Sequence, residues 1–428
     1  MRQVNQKFSR VVITGMGAIT ALGQGITSLK KGLKKGYSLF NKNPLFPELS
    51  FPVISAAIDN FNLEEAVSGF NSIPEELKLK VFKTGRRSPK AIQISLITVL
   101  EAYQQAKILN RSVDPTRIGL VVAGQNTTQR YSYDLFSSFQ EEPSYLSPTY
   151  ALHFMDTDQV GTLSEVFNIQ GEGFNVGGAS ASGNIALIQA YRMIQQKTVD
   201  ICLVVGVMAD LSPLEVQGFH NIGAMGGKYF AEFPSKASRP FDSNHEGFIW
   251  GQGSGCLILE SQEIADHDGI SSLGEMKGTA IALDAHRYSE PNVLGESRVM
   301  QQAIAEAGMV PEDIHYLNTH GSGSIVGDET EVKAIHEVFK DLTNQVWLNA
   351  TKGLIGHCLW SAGILEAITT LIQMQEGFLH PNLNLENPID TSLRWVGKQA
   401  ESVEIKTALS NSFGFGGMNS SVLLLRGE

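Results

Sequence analysis

GGASASGN, residues 177–184, leads into IALIQAYRMIQQ, an amphipathic run with helical spacing. Small residues around Ser180, directly ahead of a helix, have the form of a nucleophile elbow, a tight turn that presents one side chain at a helix start. A second stretch echoes the first. ATKGLIGHCLWSAG, residues 350–363, ends on Ala362-Gly363 and opens ILEAITTLIQMQEG, as Ser182-Gly183 opens the earlier helix. Each helix has a residue suited to chemistry just upstream, Ser180 in one and His357 in the other. The echo predicts a duplicated βα unit. One half covers 1–265 and carries the elbow. The other covers 266–428 and carries the histidine motifs. The polar, strand-poor ESQEIADHDGI lies at the junction.

The rest of the chain fits that frame. RVVITGMGAIT (10–20) reads as a buried strand ending in a glycine turn. RIGLVVAGQ, DICLVVGVMAD, SGCLILE, IHYLNTHGSG, QVWLNATKG and SSVLLLRG are short apolar strands. They alternate with helical segments such as SPKAIQISLITVLEAYQQAKIL and ESRVMQQAIAEAGM, which predicts an α/β fold with largely parallel, doubly covered sheets.

Composition narrows the function. The chain has 428 residues, 42% hydrophobic and 18% charged, enough for a large core and too apolar for a disordered segment. No apolar run reaches the roughly 18 residues of a membrane span, and MRQVNQKFSR has no apolar leader core. With three cysteines and no CxxC spacing, the expectation is a cytoplasmic protein with neither disulfides nor a zinc site. A net charge of −11 argues against nucleic acid as partner. One basic cluster, Lys78, Lys80, Lys83, Arg86, Arg87 and Lys90, reads either as a solvated helix face or as a docking patch for an acidic partner.

Three further motifs bear on chemistry. GMGAIT (15–20) starts like a dinucleotide fingerprint but has Thr20 where the third glycine belongs. NTHGSGS (318–324) places His320 at a strand-to-loop junction, where α/β proteins place ligands. In ATKGLIGHCLWSAG, Lys352 sits at a strand end, and His357 at an expected helix start, whose dipole would favour a neutral imidazole. Two neutral histidines suit the stabilisation of an enolate, and their spacing is not that of metal ligands. Cys358 adjoins His357, but neighbouring helical side chains diverge by about 100°. The loop NSFGFGGMN (411–419) lets backbone N–H groups approach a ligand and carries an aromatic, Phe415.

Together these motifs resemble the β-ketoacyl-acyl-carrier-protein synthases, elongating ketosynthases of the thiolase superfamily. The resemblance runs the full length, through RVVITGMGAITALG, SRPFDSNHEGFIWGQGSG (238–255), NTHGSGS, ATKGLIGHCLWSAG and NSFGFGGMN. It implies a five-layered αβαβα fold of two duplicated halves and a homodimer. It also implies that no cofactor is bound, the substrate arriving on the phosphopantetheine arm of acyl carrier protein. His320 and His357 match the catalytic histidines, Lys352 the lysine that organises them, and Glu366 and Asn419 structural residues nearby. Phe415 matches the gating phenylalanine, whose N–H serves the oxyanion hole. Ser322 and Ser324 match the hydroxyls that hold the arm. Lys83, Arg86, Arg87 and Lys228 are docking candidates, with Gly223 standing where relatives often carry a carrier-binding Arg.

The chain departs from the family at Ser180, where the family has a nucleophilic cysteine. Serine is a poor nucleophile without a base. Decarboxylation of a malonyl thioester needs no nucleophile, and Ser180 would then be a polar placeholder whose N–H still serves the oxyanion hole. The sequence looks like the Gln- or Ser-bearing relatives that make acetyl-carrier protein in polyketide β-branching cassettes. The expectation is therefore a malonyl-acyl-carrier-protein decarboxylase. Two alternatives stay open: a condensing transferase in which Ser180 carries acyl groups or replaces an exchanged cysteine, and a non-catalytic partner subunit.

Overall fold

The computed structural model describes residues 9–427; most of the N-terminal stretch MRQVNQKFSR, read above for a leader, lies outside them. Ten strands carry the architecture: β1 (Val11–Thr20), β2 (Ile118–Ala123), β3 (Gly173–Val176), β4 (Ile201–Gly206), β5 (Gly253–Ser261), β6 (Gly274–Leu283), β7 (Tyr316–Asn318), β8 (Trp347–Asn349), β9 (Thr407–Gly414) and β10 (Met418–Arg426). Their spatial order is β8-β7-β9-β10-β6-β1-β5-β4-β2-β3. The order repeats about the β6–β1 pair. In each half the first strand meets the fifth, then the fourth, second and third. The pair types repeat too. β1–β5, β5–β4, β6–β10 and β10–β9 are antiparallel, whereas β4–β2, β2–β3, β9–β7 and β7–β8 are parallel. The sheets are thus mixed rather than largely parallel. Long first and fifth strands fold back on their neighbours, and only the short middle strands are joined by helical crossovers.

Helices repeat as the strands do. In the first half they are α1 (Lys90–Gln105), α2 (Thr157–Phe167) and α3 (Ser182–Gln195). Their counterparts in the second are α4 (Val293–Glu306), α5 (Ile325–Phe339) and α6 (Ala362–Glu376). α1 and α2 cover one outer face, and α4 and α5 the other. α3 and α6 pack against each other between the halves, giving five αβαβα layers. Their sequences explain the position. α6 is buried at every residue from Ala362 to Met374, with apolar residues on all its sides and only Glu366, Thr369, Thr370 and Gln373 polar among them.

Glycines mark where the layers touch. The predicted glycine turn at 15–17 is instead continuous strand. A Cβ at Gly17 would fall 2.0 Å from the Thr98 carbonyl oxygen of α1, and one at Gly278 of β6 would fall 2.0 Å from the Ala303 oxygen of α4. Each strand shifts register once, β1 between Ile13 and Gly15 and β6 between Met276 and Gly278. Gly17 therefore serves close helix packing, and no dinucleotide loop forms. In the central layer a Cβ on Gly183 would fall 2.8 Å from the Ile364 nitrogen, and one on Gly363 would fall 2.7 Å from that of Asn184. The echoed glycines meet across the interface of the halves.

Candidate active site

Both central helices begin in the same way. A single 3-10 turn, Ala179–Ala181, precedes α3, and another, Leu359–Ser361, precedes α6. Each turn opens on a left-handed residue, Ala179 at φ 48° and Leu359 at φ 52°. Non-glycine residues hold that conformation only where their surroundings enforce it. In this register the counterpart of Ser180 is Trp360, and His357 lies two residues before the turn. This corrects the sequence pairing of Ser180 with His357. It also removes His357 from the helix start, since Gly356 and the short helix Lys352–Ile355 precede it.

The structure nevertheless brings the two together. Ser180 Oγ lies 2.8 Å from His357 Nε2. The direction of that bond is set from behind, because the Leu359 amide donates to His357 Nδ1 at 3.1 Å. A neutral ring that accepts at Nδ1 carries its hydrogen on Nε2. His357 therefore donates to Ser180 and cannot take its proton. His320 has the same polarity. The Lys352 ammonium lies 3.5 Å from His320 Nδ1, which leaves the Nε2–H for the cavity. The two rings stand nearly perpendicular, with centroids 5.6 Å apart. Burial pushes both histidines well below the usual imidazole range. The Lys352 charge adds to this in each, and His357 adds to it in His320. Burial, rather than the expected helix dipole, is the main cause.

Lys352 is itself buried. Its ammonium donates to Glu366 and to the His320 carbonyl oxygen. Burial raises the Glu366 carboxyl, against the pull of Lys352, and the Ser412 hydroxyl donates to Glu366 at 3.5 Å. An ion pair this deep is held by its hydrogen bonds, and loss of one partner strands a buried charge. Cys358 Sγ packs onto the Ile355 carbonyl, and burial pushes its thiol far up, which removes it as a nucleophile. Cys202 and Cys256 are core residues.

Acidic residues absent from the sequence reading brace the histidine loop. Glu331 accepts from the amides of His320 and Gly321, both at 2.8 Å. Asp328 accepts from Phe241 N, Gly323 N and His245. Asp328 and Glu331 are buried on α5, three residues apart, which is the signal the sequence offered. The block 238–255 proves to be scaffold. The Ser238 hydroxyl donates to the Lys352 carbonyl at 2.7 Å, His357 N donates to Ile249 O at 2.7 Å, and Gly251 N to His357 O at 3.0 Å.

A cavity of about 610 Å³ opens over these groups. Ser180, His320, His357, Ser322, Ser324, Phe415 and Asn419 all line it. Ser324 also caps α5 by accepting from Gly327 N at 3.2 Å, and Ser322 accepts from Ser324 N at 3.3 Å, so each hydroxyl keeps its proton to donate. Phe415 tips the β9–β10 hairpin, 40% exposed. The hairpin presses on the elbow: a Cβ on Gly414 would fall 3.2 Å from Ser180 N and 2.5 Å from Gly178 O. Gln125, Glu296 and Trp360 also line the cavity and were missed. Gln125 follows β2 as His320 follows β7.

The docking candidates lie apart from this cavity. Lys83, Arg86 and Arg87 are exposed at the end of the helix Glu75–Gly85, and Lys228 lies in the loop after the helix Pro213–Asn221. The wider basic cluster disperses: Lys78 pairs with Glu75, Lys80 binds the Glu165 carbonyl and Lys90 that of Ile58. Among the described residues no group of three His, Cys, Asp or Glu could hold a metal, and no helix is long and apolar enough to cross a membrane.

Comparison with known proteins agrees with the fold. Residues 8–265 match the β-ketoacyl synthase N-terminal domain, and 273–386 the C-terminal domain. The chain is 38% identical over 417 residues to the polyketide biosynthesis malonyl-ACP decarboxylase PksF of Bacillus subtilis, spanning 97% of this chain and 96% of that one. It is 30% identical to the chloroplastic 3-oxoacyl-acyl-carrier-protein synthase I of Arabidopsis thaliana, over 96% of this chain and 86% of that one. A crystal structure of a β-ketoacyl synthase from Burkholderia phymatum superposes with a TM-score of 0.85 at 25% identity, covering 98% and 99% of the two chains. With its thiolase-like layers and both domain matches, the chain belongs to the β-ketoacyl synthase family.

Proposed function

We propose that this protein converts malonyl-acyl-carrier protein to acetyl-acyl-carrier protein in polyketide biosynthesis, in the cytoplasm. One observation carries the reading. The cavity holds two neutral imidazoles whose Nε2–H groups face inward, while nothing at His357 can accept the proton of Ser180. When the malonyl carboxylate leaves as carbon dioxide, the C–C electron pair passes into the thioester and charge builds on its carbonyl oxygen. The Nε2–H groups of His320 and His357 donate to that oxygen, with Ser180 yielding its place on His357. Fixed donors in a buried site need no reorganisation, which makes such stabilisation large. A proton from solvent then converts the enolate to the acetyl thioester. Lys352, with Glu366, holds His320 in the donating tautomer. Nothing in this sequence of steps consumes a nucleophile. PksF, at 38% identity, carries the same reaction in its name.

The experiment is intact-protein mass spectrometry of malonyl-acyl-carrier protein incubated with the enzyme alone. Conversion to the acetyl form with the enzyme mass unchanged is expected. A malonyl group that persists until an acyl donor arrives, or an enzyme that gains an acyl mass, would show a condensing synthase instead. We further propose a homodimer formed across β3, the edge strand of the sheet, whose free side lies in the same half as the apolar, exposed Phe136 and Phe139. Light scattering that finds only a monomer would refute it.

A further inference from the structure

We infer that Glu296 is a substrate-binding carboxylic acid, which donates its proton in a hydrogen bond to an amide carbonyl of the phosphopantetheine arm at the cavity mouth. The inference rests on the proposed entry of a carrier-bound thioester. Glu296 stands in the first turn of α4, is 1% exposed, and lines the cavity with Ser322, Ser324 and Asp284. Its Oε2 is buried with no hydrogen-bond partner among the described residues, as is Oδ1 of Asp284. The packing there is tight. A Cβ on Gly295 would lie 1.8 Å from Asp284 Oδ1 and 2.6 Å from Asn419 Nδ2. Buried polar atoms are seldom left unpaired, and an orphan in a cavity wall points to a partner that arrives with the ligand.

The neighbouring acids of α5 cannot play this part. Glu331 spends its oxygens on the amides of His320 and Gly321, and Asp328 spends its own on those of Gly323 and Phe241 and on His245. Those same acids identify the chemistry. Burial, then Glu331, Asp284 and Asp328, raise the Glu296 carboxyl well above its usual range, so that it keeps its proton. Arg287 and Glu290 from the loop after β6, His320 from the loop after β7, and His357 ahead of α6 complete the charged and titratable groups on the cavity wall. A neutral acid among carboxylates repels an anion such as the malonyl carboxylate or a phosphate. It suits a neutral acceptor, and the arm supplies amide carbonyls. Ser322 and Ser324, matched to the arm by the resemblance, line this wall, whereas Ser180 lies on the floor beside His357.

The test compares malonyl-pantetheine with malonyl ethyl thioester, which lacks both amides. Glu296→Leu is expected to raise KM for malonyl-pantetheine by roughly three- to tenfold with kcat little changed, and to leave the ethyl thioester untouched. Glu296→Gln keeps a donor and should retain the KM of the parent. As pH rises through the pKa of Glu296 the parent loses its donor and its KM climbs, while that of Glu296→Gln stays flat. Infrared difference spectra should show a protonated carboxyl band, missing from Glu296→Gln, that shifts when pantetheine is added. An unchanged KM in Glu296→Leu, an equal rise with the ethyl thioester, or a band that pantetheine leaves in place would overturn the inference. If the parent decarboxylates neither ester, the proposed reaction fails, and the band shift alone decides the contact.

Discussion

The two halves of this molecule share a strand order, three helices, a bulged first strand and a 3-10 turn with a left-handed opening residue. They share almost no chemistry. At the turn before α3 the first half presents a small hydroxyl, Ser180. At the matching turn the second half presents Trp360, 7% exposed, as a wall. After the second strand the first half places Gln125 and the other His320. The backbone geometry of an elbow is thus a property of the duplicated scaffold, and which elbow acts depends on its side chain. The active groups divide accordingly: the first half supplies the floor, and the second supplies both Nε2–H donors and the Lys352–Glu366 pair behind them.

The sharpest way to break that division is to remove a donor. His357→Ala and His320→Ala should each lower the decarboxylation rate by about 10²–10³-fold, the usual cost of one oxyanion donor. Carbon dioxide release from malonyl-acyl-carrier protein measures this, and a rate left intact in either variant would assign the chemistry elsewhere.

A second test asks whether the halves are equivalent where they touch. Gly183→Ala and Gly363→Ala each push a methyl into the facing backbone. Both should destabilise by about 1–3 kcal/mol, and by similar amounts, because the overlap is reciprocal. Denaturant unfolding measures it. If one variant is as stable as the parent, the two helices are not related as the glycine contacts imply.

The smallest effects are expected at the first elbow and on the acid side of the pH profile. Ser180→Ala should retain decarboxylation within a few-fold, because Ser180 only occupies the His357 Nε2–H in the resting site. The histidines are already neutral at their ordinary pKa of about 6.5. The rate should therefore show no step from imidazole titration as pH falls through that value. Stability, by contrast, should fall with pH there, since the unfolded chain binds protons that the folded histidines refuse. Initial rates and unfolding midpoints across the same pH range separate the two. An acid-side step in rate near the ordinary value would mean that the rings titrate freely.

Much of this was legible beforehand. Motifs spread along the chain carried the family, the strand and helix alternation carried the fold class, and the Ser180 departure carried the decision between transfer and decarboxylation. What eluded the sequence was whatever depends on distant partners. Gly15 and Gly17 read as a turn, because nothing local tells a glycine that bends the chain from one that admits a helix. The basic cluster read either as a solvated helix face or as a docking patch, but Lys80 and Lys90 find partners on other segments and Lys78 on its own helix. Glu331 and Glu296 went unread, since burial is not written in a residue type.

The sequence by itself determined which groups are present: a hydroxyl in place of a thiol, two histidines, one lysine, and two elbows in register. Only the tertiary structure decided their states. A buried backbone amide selects the His357 tautomer, a buried ion pair orients His320, and burial together with three nearby carboxylates raises the Glu296 carboxyl well above its usual range. Protonation and hydrogen-bond direction are fixed by local dielectric and by neighbours far apart in the chain, and those neighbours exist only once the layers close.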